Sequence, residues 1–365
     1  MKFQTIIVGA GSAGCVLASR LSENPQRSVL LLEAGPDYPT EAETPIEFLN
    51  EAIPWGVHDW GYSSEPGLLN RSIELARGKL VGGCSAVNAG VTVRGTPSDY
   101  DEWAALGNEG WSFSEVLPFF RRVENDANFD NEWHGKDGYL PIRRDQEPEH
   151  SAFLQACFSL GYTRVADHNA PNAMGAGVWP RNVVAGVRKS AALTYLAAAR
   201  GRPNLTIRDK THVDCVLLNN GHVAGVRLAG SGEVIEADRI VLAAGAYGSP
   251  IILMRSGIGP ADHLHSLKIP VVQNLQGVGQ NLSDHPLVRL RFAASTPDRA
   301  DNVMKLGGLL TLRSSEAVAG YDVHIVSETI SLNDPFLSIF TSLVKPYSRG
   351  SVRLRSSDPD APPDN

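Results

Sequence analysis

Thr5-Ile6-Ile7-Val8-Gly9-Ala10-Gly11-Ser12-Ala13-Gly14 decides the fold of this chain. An apolar run enters Gly-x-Gly-x-x-Gly directly, and an Ala-rich segment reaching Arg20 and Leu21 follows. That order reads as a buried strand, a tight glycine turn and the start of a helix. Gly9 permits the turn, Gly11 lets a pyrophosphate approach the backbone, and Gly14 lets the helix lie close on the strand. The helix start presents free N–H groups and the positive end of its dipole to phosphates. A second apolar strand, Ser28–Leu32, ends in Glu33. An acid there accepts both hydroxyls of an adenosine ribose and repels a 2′-phosphate, which disfavours NADP. This pattern alone does not separate FAD from NAD.

The 365 residues suit one large domain or two ordinary ones. Apolar and charged content are those of a soluble globular protein. A net charge of −7 without a basic block makes nucleic acid an unexpected partner. No apolar stretch is long enough to span a bilayer. The first strand starts within a few residues of Met1 and leaves no room for a signal peptide, so a cytoplasmic location is expected. Cys15, Cys84, Cys157 and Cys215 are scattered, with no Cys-x-x-Cys pair, and are expected as buried free thiols, without a disulfide framework or a zinc site.

Residues 36–76 have little periodicity but carry Ile53-Pro54-Trp55-Gly56 and Asp59-Trp60-Gly61-Tyr62, which read as an ordered loop or lid. Ala76–Gly90 contains Gly82-Gly83, Ser85 and Asn88. Such a loop suits a flat ring system, and equally an ordinary glycine-rich turn before a helix. Residues 97–125 read as helical, with Ser112 and Glu115 as a capping box and Trp103 and Phe119 as core. A short strand is expected over Tyr139–Ile142 and helices over Ser151–Leu160 and Arg188–Leu196. His134 and His150 stand alone and read as surface or packing residues. Strands follow over Leu205–Arg208, His212–Leu217 and Val223–Leu228, with Asn219-Asn220-Gly221-His222 as a hairpin turn. Arg239–Gly245 reads as a second buried strand whose small-residue end returns to the nucleotide crevice, so the first domain is discontinuous. Residues 306–330 are strand-rich, and His324, alternating with apolar neighbours, reads as packing, with a pocket residue as the alternative. Ser356–Asn365 is loop-like and closes no recognisable domain.

Gly245-Ala246-Tyr247-Gly248-Ser249-Pro250-Ile251-Ile252-Leu253-Met254-Arg255-Ser256-Gly257-Ile258-Gly259 resembles the second signature of the glucose–methanol–choline (GMC) oxidoreductases. Gly78–Asn88 resembles the first, and Val278–Pro286 a later block of the same family. The resemblance implies an α/β fold: a discontinuous Rossmann-like FAD-binding domain over residues 1–290, and an incomplete α+β substrate-binding domain over 291–365. It implies oxidation of the CH–OH group of a small alcohol by hydride transfer to flavin N5, choline-oxidising members being among the family. Carried over, Gly9, Gly11, Ser12, Ala13 and Gly14 hold the pyrophosphate. Glu33, with Ala34 beside it, holds the ribose. Val81, Gly82, Gly83 and Ser85 line the flavin, Asn88, Ala89, Gly90 and Val91 run beside its ring, and the Val213 backbone meets the adenine.

Three positions depart from the common pattern. Cys84 replaces a small hydroxyl residue or glycine. Thr92 stands where an aromatic residue is common, which widens or reshapes that side of the pocket. Val87 stands where some members carry a histidine joined to the flavin, so non-covalent FAD is expected. The resemblance places the catalytic histidine in a later segment, and no catalytic residue is assigned within these 365 residues. His285, beside Asp284, reads as part of a structural or flavin-adjacent turn, the alternative being a general base. The alternative reading is a non-catalytic flavin-binding fragment or pseudoenzyme.

Overall fold

The computed structural model describes residues 2–50, 54, 56–67, 70–144, 152–293, 305–329 and 336–364. Ile53, Trp55, His150 and Ser151, read above as loop, packing and helix residues, lie outside them.

The opening stretch forms strand β1 (Phe3–Val8), a turn and a helix over Ser12–Leu21. Strands β2 (Val29–Leu32), β3 (Leu205–Arg208), β4 (Val213–Asn219), β5 (His222–Leu228) and β6 (Val234–Leu242) complete a six-stranded sheet in the order β3-β2-β1-β6-β5-β4. The first three neighbouring pairs are parallel, and β6-β5-β4 is an antiparallel meander. Successive side chains of a strand face opposite ways. Ile7, Val29 and Leu31 therefore pack on Cys15, Ala18 and Leu196 on one face. Ile6, Val8, Leu30 and Leu32 pack on Val216, Val226 and Ile252 on the other. Burial on both faces explains why β1 and β2 read as unbroken apolar runs. Val8 lies opposite both Leu32 and Leu242, so Gly9, Glu33 and Ala243 emerge side by side at one sheet edge.

A second sheet is antiparallel over β7 (Leu287–Ala293), β8 (Lys305–Leu312), β9 (Val323–Thr329) and β10 (Phe336–Leu343), in the order β7-β10-β9-β8. Two short strands, Ala176–Gly177 and Arg164–Val165, extend it beyond β8. A helix over Ala152–Ser159 covers one face through Leu154 and Cys157, packed with Ala176 and Leu310.

Several expectations change. The helical region near 97–125 divides into Pro97–Ala105 and Phe113–Val123, the second carrying the Ser112–Glu115 capping box. Trp103 and Phe119 are 46% and 64% exposed instead of core, because each sits on the outer side of its helix. The helix expected over Arg188–Leu196 is a single wide turn over Ala192–Leu196, and Val187–Arg188 pairs as a strand with Val183–Val184. Tertiary contact overrides propensity there, since the buried Arg188 guanidinium donates to Ala86 O at 2.6 Å. Among the four free cysteines Cys84 is exposed and the other three are buried. No helix among the described residues is long and apolar enough to cross a membrane.

Candidate nucleotide and flavin site

The sheet edge carrying Gly9, Glu33 and Ala243 opens into a cavity of about 640 Å3, within the roughly 300–1,000 Å3 typical of ligand pockets. The crevice lies at a topological switch point, since β1 connects to β2 on one side and pairs with β6 on the other.

Each glycine of the motif has a separate steric reason. Gly9 has φ +96°, and a Cβ there would lie 2.6 Å from Ala243 O. A Cβ on Gly14 would lie 1.8 Å from Gly9 O, which sets how closely helix and strand pack. Gly11 faces outward, and a Cβ there would meet only Gly83 Cα, at 4.0 Å. Gly83, at φ +51°, would itself place a Cβ 2.7 Å from Gly11 Cα, so two glycine loops touch back to back at the cavity wall. The first helical bond runs from Cys15 N–H to Gly11 O. The N–H groups of Ser12, Ala13 and Gly14 precede it and form the free helix end.

Glu33 is buried at the end of β2. Its carboxylate accepts N–H bonds from Ala10 at 2.9 Å and Gly35 at 3.0 Å. Burial pushes its pKa up, against the pull of those backbone donors. Arg255 forms another wall. It is held by Asp214 at 3.1 Å, and its Nη1 is buried without a hydrogen-bond partner. An adenine dinucleotide fits this donor set: free N–H groups for phosphates, a carboxylate for ribose hydroxyls, and a backbone two glycines leave open.

Of the residues expected at the cofactor, Gly9, Gly11, Ser12, Ala13, Glu33, Ala34, Gly83 and Val213 line the cavity. Gly14, Val81, Gly82, Ser85, Asn88, Ala89, Gly90 and Val91 are not among its lining residues. Gly82 N–H instead donates to Ala10 O, and Ser85 Oγ accepts from Ala191 N–H while donating to Gly82 O. The 88–91 segment is gripped from the far side: Asn182 N–H donates to Gly90 O, Arg181 donates to Ala89 O, and Val91 bridges Arg181.

Sequence reasoning missed part of the wall. Trp60 and Lys79 line it together, the ammonium 4.6 Å from the ring centre. His212, from beside β4, meets the Trp60 ring edge-on and lies 3.3 Å from Asp360. Pro359–Pro362, in the tail that read as closing nothing, walls the same cavity. Arg353 pairs with Asp364 across that tail, a contact without local periodicity to announce it. Asp284 of the Asp–His pair binds Arg77 at 3.1 Å and caps the His285 N–H, while the His285 ring stands exposed.

His134 does not stand alone. Its Nδ1 lies 3.0 Å from Glu124 and 3.1 Å from Asp126, and its Nε2 lies 2.7 Å from Asp167. Carboxylates only accept, so both ring nitrogens carry protons. Burial alone would lower the His134 pKa; the carboxylates of Asp126, Asp167 and Glu124 override it and raise it to about 10. Arg94 on Glu124, and Arg144 on Asp126 and Asp167, complete three cations against three anions. Glu124, Asp126 and His134 are spaced to hold a metal ion, but the imidazolium and both guanidiniums already neutralise that space. The network reaches the 88–91 neighbourhood through Asn169, which accepts from Arg94 N–H and donates to Thr92 O.

Comparison with known proteins agrees with this geometry. The sequence model of the GMC oxidoreductases matches residues 3–287. Glucose dehydrogenase (FAD, quinone) of Drosophila melanogaster is 34% identical, over 99% of this chain and 66% of that protein. Oxygen-dependent choline dehydrogenase of Klebsiella pneumoniae is 35% identical, over all of this chain and 74% of that protein. The crystal structure of pyridoxine 4-oxidase from Mesorbium loti superposes with a TM-score of 0.86 at 31% identity, covering 98% of this chain and 74% of that one. The chain thus spans about two thirds to three quarters of the length of these relatives. With a matched sequence model over most of its length and this sheet-edge crevice, the chain belongs to the GMC oxidoreductase family.

Proposed function

We propose that this chain holds FAD non-covalently in the sheet-edge cavity and forms the flavin-binding part of an oxidoreductase acting on the CH–OH group of an alcohol. One observation carries the reading: the Gly11–Gly83 contact, the free helix start and Glu33 open on the same cavity. Residues 1–290 make up most of that part, lending Arg164–Val165, Ala176–Gly177 and the first residues of β7 to the second sheet; residues 291–365 begin the substrate side.

FAD, when bound, supplies a hydride acceptor at N5, the chemistry the protein itself lacks. The chain supplies position and electrostatics. Ser12–Gly14 N–H groups meet the pyrophosphate, Glu33 the ribose hydroxyls, and Val213 the adenine side. The Gly82–Ser85 and Asn88–Val91 backbones shape the flavin side, braced by Arg181 and Asn182. Pro359–Pro362 screens the cavity from water. The base that takes the hydroxyl proton is a histidine in the part of the relatives' length this chain does not span; such a base is worth about a hundred- to ten-thousand-fold in rate.

A second reading, a flavin-binding chain without turnover of its own, is favoured by the cavity wall. Among the described residues His212 is the histidine lining it, and His212 is engaged by Asp360 and Trp60. The visible spectrum of the purified chain, with released flavin identified after denaturation, tests the reading. Bound FAD that an alcohol bleaches supports the first form, and bound FAD that no alcohol bleaches the second. A protein that stays colourless with added FAD overturns both.

A further inference from the structure

Arg255 ends the helix over Gly245–Arg255 and lines the cavity with a side chain only 3% exposed. Its Nε donates to Asp214 O at 2.9 Å and lies 3.1 Å from the Asp214 carboxylate, and its Nη2 donates to Val213 O at 3.5 Å. Nη1 has no hydrogen-bond partner among the described residues. A guanidinium only donates, and a buried donor left unpaired is costly. Arg255 is therefore fixed on β4 by two of its nitrogens and calls for an acceptor at the third.

The sheet decides which part of a ligand meets that nitrogen. The Ser12–Leu21 helix packs on one face, β4 and Ile252 pack on the other, and Glu33 stands at the end of β2 between them. Thr211 N–H donates to Glu33 O at 2.7 Å, so the chain passes from the Glu33 acid to Val213 in two residues. Burial, and after it the Arg255 guanidinium, lowers the His212 pKa, which puts Arg255 in the same corner. A dinucleotide with its phosphates at the helix start and a ribose at Glu33 therefore carries its base to the Arg255 side. The acceptor there has no need of charge. Among the described residues, Glu33 and Asp360 line the cavity with Arg77, Lys79 and Arg255. Asp284 pairs with Arg77, and Asp214 with Arg255 and Arg227, so acids and cations balance. A purine ring offers uncharged acceptor nitrogens on its edges.

We propose that Arg255 reads the base of the bound dinucleotide: its Nη1 donates to an acceptor nitrogen of the purine ring and selects a base that carries one there. This rests on the dinucleotide reading of the cavity and adds to it the residue that recognises the base.

The full chain, freed of flavin, is titrated calorimetrically with ADP and with 1-deaza-, 3-deaza- and 7-deaza-ADP, each of which replaces one ring nitrogen by C–H. Rebinding of FAD, read by visible absorbance, checks that the chain is intact. One of the three analogues is expected to bind about tenfold more weakly than ADP. Arg255→Met and Arg255→Lys are each expected to weaken ADP by a similar factor and to leave that one analogue where it is. An Arg255 that only holds β4 in place would weaken ADP and all three analogues alike, and that result would overturn the proposal. So would a wild-type chain that binds all four ligands equally, a comparison that needs no variant. The lysine keeps a cation on Asp214 and serves if the methionine variant does not fold. ADP binding with this pattern but no FAD binding contradicts the flavin reading alone. Binding of both without an Arg255-dependent analogue contradicts this proposal alone, and binding of neither overturns both.

Discussion

In the parallel sheet Ile6 and Ile7 point to opposite faces and both are fully buried. In the antiparallel sheet all of Leu287–Ala293 is exposed, with Leu290 and Phe292 each 48% accessible. The first sheet is covered on both sides by the chain itself, so the edge that faces the cavity is set by a core that cannot shift. Among the described residues the second is covered by one helix and carries at its edge a strand, β7, that pairs with β10 alone. A cofactor common to a family suits a rigid crevice. The charged network around His134 sits between the two, linking Asp167, just after the short strand Arg164–Val165, to Arg94, just after the 88–91 segment.

The largest effect is expected at that joint. His134→Ala leaves three buried carboxylates against two guanidiniums and should cost about 3–5 kcal/mol of stability, measured by urea unfolding. A histidine raised from about 6.5 to about 10 contributes its full stability below about pH 6.5 and loses it as pH rises towards about 10. Wild-type stability should therefore decline across that interval, and the decline should vanish in the variant. The groups facing the ring are Glu124, Asp126 and Asp167, with Arg94 and Arg144 behind them. Asp126 and Asp167 remain ionised throughout that window, because His134 and Arg144 override burial and hold both below the usual carboxylate range. A flat profile would mean that the joint is neutral, and the contrast between the sheets would lose its connecting element.

Next comes the doubly covered core. Leu31→Ala removes a fully buried side chain from β2 and should cost about 2–5 kcal/mol, the range for cavities in cores that cannot collapse. A loss near zero would show that the parallel sheet is as loosely covered as the antiparallel one. Glu33→Gln tests the crevice itself. The amide keeps the shape but loses the charge that Ala10 and Gly35 N–H groups address. FAD affinity should fall about tenfold, the lower end for a charge-assisted hydrogen bond, when titrated by flavin fluorescence. Unchanged affinity would remove Glu33 from the ribose.

Much of the crevice was legible because its signals are local. An apolar run, three glycines at fixed spacing and an acid at the next strand's end specify neighbours within thirty residues, and Val8, Leu32 and Leu242 then align as their patterns require. What was not legible depends on partners far away in the chain. His134 looked isolated because its acids sit 10, 8 and 33 residues from it in sequence. Arg188 read as helical because nothing nearby says that Ala86 O, 102 residues earlier, takes its guanidinium. Pro359–Pro362 read as tail because a cavity wall needs no periodicity. Trp103 and Phe119 read as core because size and apolarity do not tell which side of a helix finds a neighbour.

The smallest expected effect is the one that most directly tests the contrast. Leu290 lies mid-strand on β7, paired with Ile339 on one side and, among the described residues, with no strand on the other. Its side chain is half in water, so Leu290→Ser removes little buried area and should change stability by less than about 0.5 kcal/mol. The same replacement breaks a row of exposed apolar side chains on an edge strand, the feature that invites edge-to-edge pairing. Self-association at high protein concentration, followed by light scattering, should therefore decrease while the urea midpoint stays in place. A midpoint that drops as far as that of Leu31→Ala would mean that β7 is packed as tightly as β2. The two sheets would then differ in strand direction alone, and the contrast between a doubly covered core and an open edge would fail.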